Sequence, residues 1–219
     1  MTTSLFELSS STTRYNGKDV LLDIKLTINP GERIALIGKS GAGKSTLLKL
    51  LYTQRATECA LIPQDSGLVK SLSVFHNTYM GSLRRHATWY NLVNLARPFP
   101  REIGQVKTIL KRLNIAEKMF APVGELSGGE QQRVCVARAL FQKARILIGD
   151  EPVSALDLNQ SDNVLSAISD SHETVLLALH DIELALRHAD RVIGLRDGRI
   201  ALDARAQSVS PTDLHFLYS

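Results

Sequence analysis

Gly38-Lys39-Ser40-Gly41-Ala42-Gly43-Lys44-Ser45 is the stretch that decides the fold. It fits G-x-x-x-x-G-K-[ST], a pattern imposed by phosphate binding. Glycine lacks a Cβ, so the backbone can curl until successive N–H groups converge on one anion. Lys44 places a cation against the outer phosphates of a nucleotide, and the Ser45 hydroxyl is a hard oxygen suited to Mg2+. The flanks agree. Residues 33–37 are an apolar run that ends at Gly38 and reads as a buried strand, and a helical pattern runs from Lys44 to about Tyr52. The loop therefore opens a helix whose positive N-terminal end faces the same anion. Gly38, Lys39, Ser40, Gly41, Ala42, Gly43, Lys44, Ser45 and Thr46 form the candidate phosphate cradle.

Outward from the loop, Val20, Leu22, Ile24, Leu26 and Ile28 alternate with partly polar neighbours, which predicts a half-buried strand. Asn29-Pro30-Gly31 is a turn. Apolar runs at 60–62, 146–148, 174–179 and 192–195 predict further strands, and helical patterns at 102–113, 130–141, 158–168 and 182–188 separate most of them. Buried strands alternating with helices predict an α/β fold with a mostly parallel sheet. Asp197-Gly198 marks a hairpin near the end. Residues 64–123 carry little strand pattern and read as a helical lobe. The chain is thus expected to be one domain, 1–219, with its helical lobe at roughly 65–140.

Composition narrows the classes. The 219 residues are 44% hydrophobic and 22% charged, which suits an ordinary globular chain rather than a disordered one. Net charge is +4, but only 5% of residues are aromatic and no basic stretch is interleaved with them, so base stacking on nucleic acid has little material. Cys59 and Cys135 stand far apart and match no metal spacing, as expected of free thiols in a reducing compartment. No apolar run approaches the roughly 20 residues that a membrane-spanning helix needs, and MTTSLFELSS has no basic region followed by an apolar stretch, so no secretion signal is expected.

Ile146-Leu147-Ile148-Gly149-Asp150-Glu151 is the acidic partner of the phosphate loop. An apolar strand ending in carboxylates delivers them to the edge of an open α/β sheet where ligands bind. Asp150 would hold Mg2+ through water, and Glu151 would polarise the attacking water as general base.

Leu126-Ser127-Gly128-Gly129-Glu130-Gln131-Gln132-Arg133 resembles the LSGGQ-type signature of ABC ATPases. A serine hydroxyl and glycine N–H groups at a helix start again suit an anion. One nucleotide site does not need two anion-gripping loops in one chain. A two-fold dimer does, with Ser127, Gly128 and Gly129 of one copy closing over ATP held by the other. The resemblance spans nearly the whole chain. It implies a P-loop NTPase core with a mostly parallel sheet, an antiparallel β lobe and a helical signature lobe. It also implies roles for single residues. Tyr15 stands where the family places an aromatic that stacks on adenine. Gln64 holds the Q-loop position, which touches Mg2+ and the γ-phosphate and senses the membrane subunits. Ser154-Ala155-Leu156-Asp157 resembles the D-loop that crosses the dimer interface, so Asp157 joins the nucleotide-contacting set. His180, at the end of an apolar strand, matches the switch histidine that contacts the γ-phosphate.

Two departures from the family pattern carry expectations. Gly149 stands where many relatives have alanine, which predicts looser packing. Gln64 follows Lys44 by only 20 positions. Once the helix is built, about ten residues remain, room for one strand at roughly 3.3 Å per residue, so the β lobe beside the adenine is expected to be reduced.

Ser71-Leu72-Ser73-Val74, Asn77, Gly81, Leu83, Trp89 and residues 92–100 are similar to the ATPase subunits of phosphonate and phosphite importers, as are residues 192–198 and Leu217-Tyr218. That resemblance implies ATP and Mg2+ as cofactors and hydrolysis coupled to transport. It implies a second copy of the chain and integral membrane permease subunits as partners, a substrate-binding protein as an indirect one, and a peripheral place on the cytoplasmic face of the inner membrane. Another ABC importer or exporter and a soluble ABC ATPase working on ribosomes or DNA are the alternatives. Members of the soluble group usually carry two cassettes or long coiled coils, and this chain has one cassette and no heptad run. A module that holds ATP without hydrolysing it would not need Glu151 and His180, and a GTPase would need an N-K-x-D motif that is absent. Finally, residues 67–101 contain no Asp or Glu but include Lys70, Arg84, Arg85, Arg97 and Arg101 beside Phe75, Trp89, Tyr90 and Phe99. This stretch is expected to dock the membrane subunits, with Arg84 and Arg85 near anionic partners.

Overall fold

The computed structural model describes residues 4–15 and 18–218, with the backbone alone for Ser11, Arg14, Tyr15 and Lys18. β1 (Phe6–Tyr15) and β2 (Lys18–Ile28) pair antiparallel as a separate two-stranded sheet. β3 (Arg33–Ile37) leads through the phosphate loop into α1 (Lys44–Gln54), and β4 (Cys59–Ile62) follows. After the helical lobe come α5 (Gly128–Gln142), β5 (Ile146–Asp150), α6 (Leu158–Ser171), β6 (Thr174–Ala178), α7 (Ile182–His188), β7 (Arg191–Arg196) and β8 (Arg199–Arg205), where α2 (Val74–Tyr79), α3 (Thr88–Ala96) and α4 (Pro100–Arg112) build that lobe. The main sheet has six strands in the order β4-β5-β6-β3-β7-β8. Its first five strands are parallel and β8 returns antiparallel. The turn is Asp197-Gly198, both at positive φ (49° and 73°), which a two-residue hairpin with the twist of its strands requires.

Runs such as Arg33–Ile37 and Thr174–Ala178 are continuous rather than alternating because this sheet is covered on both faces. Ala35, Ile37, Leu147, Val175 and Leu177 pack in one core with α5, α6 and α7. Their neighbours Ile34, Leu36, Ile146, Ile148 and Leu176 pack in the other with Leu47, Leu48 and Leu51 of α1 and the inner face of β1–β2. Each such Val, Leu or Ile side chain contributes roughly 1.5–3 kcal/mol by leaving water.

The alternation expected in β2 breaks. Leu21 is fully buried while Leu22 is half-buried. Asp23 takes φ 51°, Ser10 opposite it takes φ 57°, and the pairing shifts register between Leu8 and Ser11. The Ser10 hydroxyl donates to Asp23 Oδ1 at 2.5 Å. This bulge inserts one residue and flips the faces, so Ile24, Leu26 and Ile28 share the core with Leu21 instead of Leu22. The short interval after α1 has the expected result. β4 enters the main sheet beside β5, with Ile62 opposite Gly149, and the β lobe among the described residues is β1 and β2 alone. Looser packing at Gly149 does not occur. A Cβ there would lie 2.7 Å from Leu177 Cδ2, so the leucine methyl already fills that space.

The helical lobe is held by a few specific devices. Asn77 receives Val69 N–H on Oδ1 and donates from Nδ2 to the carbonyls of Val69, Leu72 and Ser73, fixing the chain that leaves the main sheet. The His86 ring stacks on Tyr90 at 4.7 Å, and Tyr90 in turn meets Phe99 in a tilted contact at 4.6 Å. Gly81, in the 3-10 turn Met80–Arg85, lets that turn touch α5, since a Cβ there would lie 2.1 Å from the Arg138 carbonyl oxygen. Among the described residues, no helix is long and apolar enough to cross a membrane.

Candidate active site

Parallel pairing brings four strand ends together. β3 delivers the loop from Gly38, β5 delivers Asp150 and Glu151, β6 delivers His180, and β4 delivers Gln64, and these strands are neighbours in the order β4-β5-β6-β3. Gly38 has φ 139°, and a Cβ on it would lie 2.2 Å from the Leu195 carbonyl oxygen, so only glycine allows the loop to leave β3 here. Gly43 caps α1 in the left-handed region at φ 105°. The Lys44 side chain is buried over the loop and its ammonium donates to the carbonyls of Gly38 (2.6 Å) and Lys39 (3.2 Å). Burial holds its pKa below that of an ordinary lysine, and the Glu151 and Asp150 carboxylates oppose that shift. Lys39, Ser40, Gly41 and Ser45 are exposed along the same loop.

Asp150 ends β5 beneath this loop. Burial pushes its carboxyl above the usual carboxylate range, while the Ser45 hydroxyl that hydrogen-bonds it and the nearby Lys44 work the other way. Its Oδ1 is buried without a hydrogen-bond partner. A buried acceptor left unpaired beside a serine hydroxyl is an oxygen set that fits a hard divalent cation. The same strain has a stability consequence. A carboxyl whose folded pKa lies above its unfolded value holds its proton more tightly in the folded chain. Stability is then lost as pH rises from the unfolded to the folded pKa, and the penalty persists above it. Asp150→Asn is therefore expected to raise the nucleotide-free thermal midpoint at neutral pH. Scanning calorimetry at pH 7 and pH 4 checks this, and the gain should shrink at the lower pH.

Glu151 is strained and pinned. Its φ is 54°, unusual for a residue with a side chain and costing of order 1 kcal/mol. Its N–H donates to Ala178 O at 3.1 Å, and its carbonyl accepts from Gln132 Nε2 at 2.7 Å. The same Gln132 accepts Ala155 N–H on its Oε1 at 2.9 Å. So fixed, the Glu151 carboxylate meets His180, whose Nε2–H donates to Oε1 at 2.5 Å. His180 is 45% exposed and Glu151 20%, which leaves the pair facing outward at the sheet edge.

The signature residues lie at the start of α5. Ser127 caps that helix: its hydroxyl accepts Glu130 N–H at 3.3 Å, and Glu130 Oε2 accepts Ser127 N–H at 2.8 Å. Ser127 and Gly128 are exposed, and Gly129 packs against Ala155 and Leu156. Asp157 caps α6 through Gln160 N–H at 2.9 Å. Gln64 is exposed two residues beyond the end of β4, level with Glu151 by the Ile62–Gly149 register. Tyr15 closes β1, and its side chain lies outside the described residues.

A family profile described as ABC transporter matches residues 21–154. The chain belongs to this family. The "Phosphonates import ATP-binding protein PhnC 3" of Halalkalibacterium halodurans is 36% identical over 233 residues, covering 93% of this chain and 89% of that one. The "Phosphonates import ATP-binding protein PhnC 1" of Pseudomonas syringae pv. tomato is also 36% identical, over 93% of this chain and 87% of its own. The dimeric structure of a post-hydrolysis state of the ATP-binding cassette MJ0796 bound to ADP and Pi shares the fold, with a TM-score of 0.72 at 23% identity, over 89% of this chain and 95% of that one. As an ABC ATPase, the chain binds ATP and hydrolyses it, with hydrolysis coupled to transport.

Two residues of this ABC ATPase act on the site through bonds that the sequence does not report. Gln132 ties the signature helix to the backbone of Glu151, as above. Arg138, two turns further along α5, donates to the carbonyls of Ser66 (2.5 Å) and Gly67 (2.8 Å) and so anchors the segment that begins at Gln64. A glutamine and an arginine on the half-buried side of an otherwise core-facing helix look like solvent-facing residues until the loops they hold are in place. Arg85 makes a contact of the same kind. It donates to Phe141 O at 2.9 Å and lies 5.1 Å over the Phe141 ring, so it fastens the lobe to α5 while its charge stays exposed. Arg84 beside it is exposed.

Proposed function

We propose that the chain is the ATP-hydrolysing subunit of a phosphonate or phosphite importer, working as a pair of copies bound to permease subunits at the cytoplasmic face of the membrane. The observation that carries the hydrolytic part is the outward-facing Glu151–His180 pair, 2.5 Å apart, at the strand edge shared with Lys44. Glu151 accepts the proton of the attacking water. His180 holds that carboxylate in place and reaches the γ-phosphate, and Lys44 neutralises the phosphate oxygens. Ser45, Asp150 and Gln64 would hold Mg2+, which supplies positive charge to the phosphates. Ser127, Gly128 and Gly129 of one copy close over ATP on the other, and Asp157 lies at the seam. Tyr15 receives the adenine on the reduced β lobe.

The cargo class rests on similarity to the two phosphonate-import proteins over nearly the full chain. The helical lobe supplies the docking face. A cleft of about 650 Å³ runs between the end of α1 and the lobe, lined by Arg84, Arg85, Arg138, Lys143 and Arg145 against Glu58. Beside it Leu83, Trp89, Leu92 and Leu95 are exposed, an apolar patch rimmed by cations that suits a partner helix with an acidic end. Hydrolysis reopens the pair, and the lobes carry that motion to the permease. A host lacking this gene, supplied with methylphosphonate, phosphite or phosphate as sole phosphorus source, tests the cargo. Growth on phosphonate or phosphite should be lost and be restored by the wild-type gene but not by Glu151→Gln. Normal growth on all three sources without a redundant importer removes the cargo assignment.

A further inference from the structure

The segment after β8 reaches back into the site. The 3-10 turn Pro211–Leu217 lies against β7: Leu217 is buried, and its methyls take the space a Cβ on Gly194 would need, 2.5 Å away. Arg196 donates to Phe216 O at 3.1 Å. This anchored turn carries the next residue to the phosphate loop. The Leu217 carbonyl accepts Lys39 N–H at 3.3 Å. The Tyr218 hydroxyl donates to the carbonyl of His180 at 3.3 Å. Leu217 and Tyr218 together thus link Lys39 of the phosphate loop to the backbone of the histidine that holds Glu151.

We infer that Tyr218 is a positioning residue for hydrolysis, setting the distance between the phosphate loop and His180. It touches neither substrate nor the reacting atoms, and acts through His180. The geometry explains why a hydroxyl is needed and not only a ring. Leu179 N–H already ties this turn to Leu36 O in β3 (3.0 Å), so the strands stay paired without Tyr218. Beyond that bond, His180 has an exposed side chain, and Asp181 is committed to capping α7 through Leu184 N–H at 3.0 Å. The phenolic hydroxyl fixes the His180 peptide itself relative to the phosphate loop, whose Lys39 is held by the neighbouring Leu217 carbonyl. Losing it leaves the ATP cradle intact while the imidazole gains freedom, so turnover suffers and affinity does not.

The inference rests on the hydrolytic role given to His180 above, so the test separates the two. Steady-state hydrolysis of radiolabelled ATP by the full-length chain is measured for wild type, Tyr218→Phe, His180→Ala and the double variant. Tyr218→Phe keeps the ring and removes the hydroxyl. Its kcat is expected to fall roughly fivefold, the worth of one ordinary hydrogen bond, with KM for ATP nearly unchanged. In the His180→Ala background, the same change should have no further effect, because residues acting through one another are not additive. Wild-type kcat in Tyr218→Phe, or an equal fall in both backgrounds, overturns the inference while a crippled His180→Ala leaves the histidine's role standing. Wild-type turnover in His180→Ala overturns both.

Discussion

Replacing Glu151 by glutamine is expected to lower ATP turnover at least about 100-fold while leaving ATP binding intact. Glutamine keeps the size of the side chain and can still accept from His180, but it cannot take a proton from water. The local structure should survive, because Glu151 is held by its backbone: Ala178 O receives its N–H, and Gln132 bonds its carbonyl. The strain at φ 54° is shared by both side chains and does not change. Removing this negative charge also eases its repulsion of Asp150 and of incoming phosphates, so the nucleotide-bound state is favoured. Steady-state hydrolysis and equilibrium binding of a fluorescent ATP analogue are the two measurements. A variant that hydrolyses ATP within about fivefold of wild type would show that another group accepts the proton.

Lys44→Ala should act on the opposite half of the cycle. Its ammonium is buried and held by two loop carbonyls, at a site where charge is costly. Deleting it removes that cost together with those bonds, so the thermal midpoint without nucleotide is expected to change little. Charge-assisted bonds to phosphate contribute roughly 1.5–3 kcal/mol, so ATP affinity should fall about tenfold to a hundredfold or more. The rise in thermal midpoint that saturating ATP gives the wild type should then vanish at the same concentration. An undiminished ATP-induced rise would mean that backbone N–H groups alone carry the phosphate affinity.

Much of this was legible in the sequence, for identifiable reasons. Strands β3 to β7 are continuous apolar runs bounded by turn residues, and covering a sheet on both faces leaves little else they could be. The phosphate loop, Asp150, Glu151 and His180 were readable because each ends such a strand, and a parallel sheet must bring those ends to one edge. β1 was not anticipated. Its Leu8-Ser9-Ser10-Ser11-Thr12-Thr13 stretch has no apolar alternation, and only pairing with β2 makes it a strand. The flip of faces at Asp23 was equally hidden, since a bulge is set by the partner strand and the Ser10–Asp23 bond. Gln132, Arg138 and Tyr218 form a third group. Each acts on the backbone of a residue remote in sequence, and no local pattern reports such a bond. Arg85 has a second, structural contact of the same hidden kind: it reaches the Phe141 carbonyl and ring while remaining exposed.

In the proposed cycle two copies complete each hydrolytic site, with Lys44 and Glu151 from one and Ser127 from the other. Light scattering on Glu151→Gln at saturating ATP and Mg2+ tests it most directly. The expected molar mass is twice the 24.1 kDa of one chain, returning to the single-chain value when ATP is replaced by ADP or when Ser127 is also changed to arginine. A mass that stays at one chain under saturating ATP and Mg2+ would contradict the composite site.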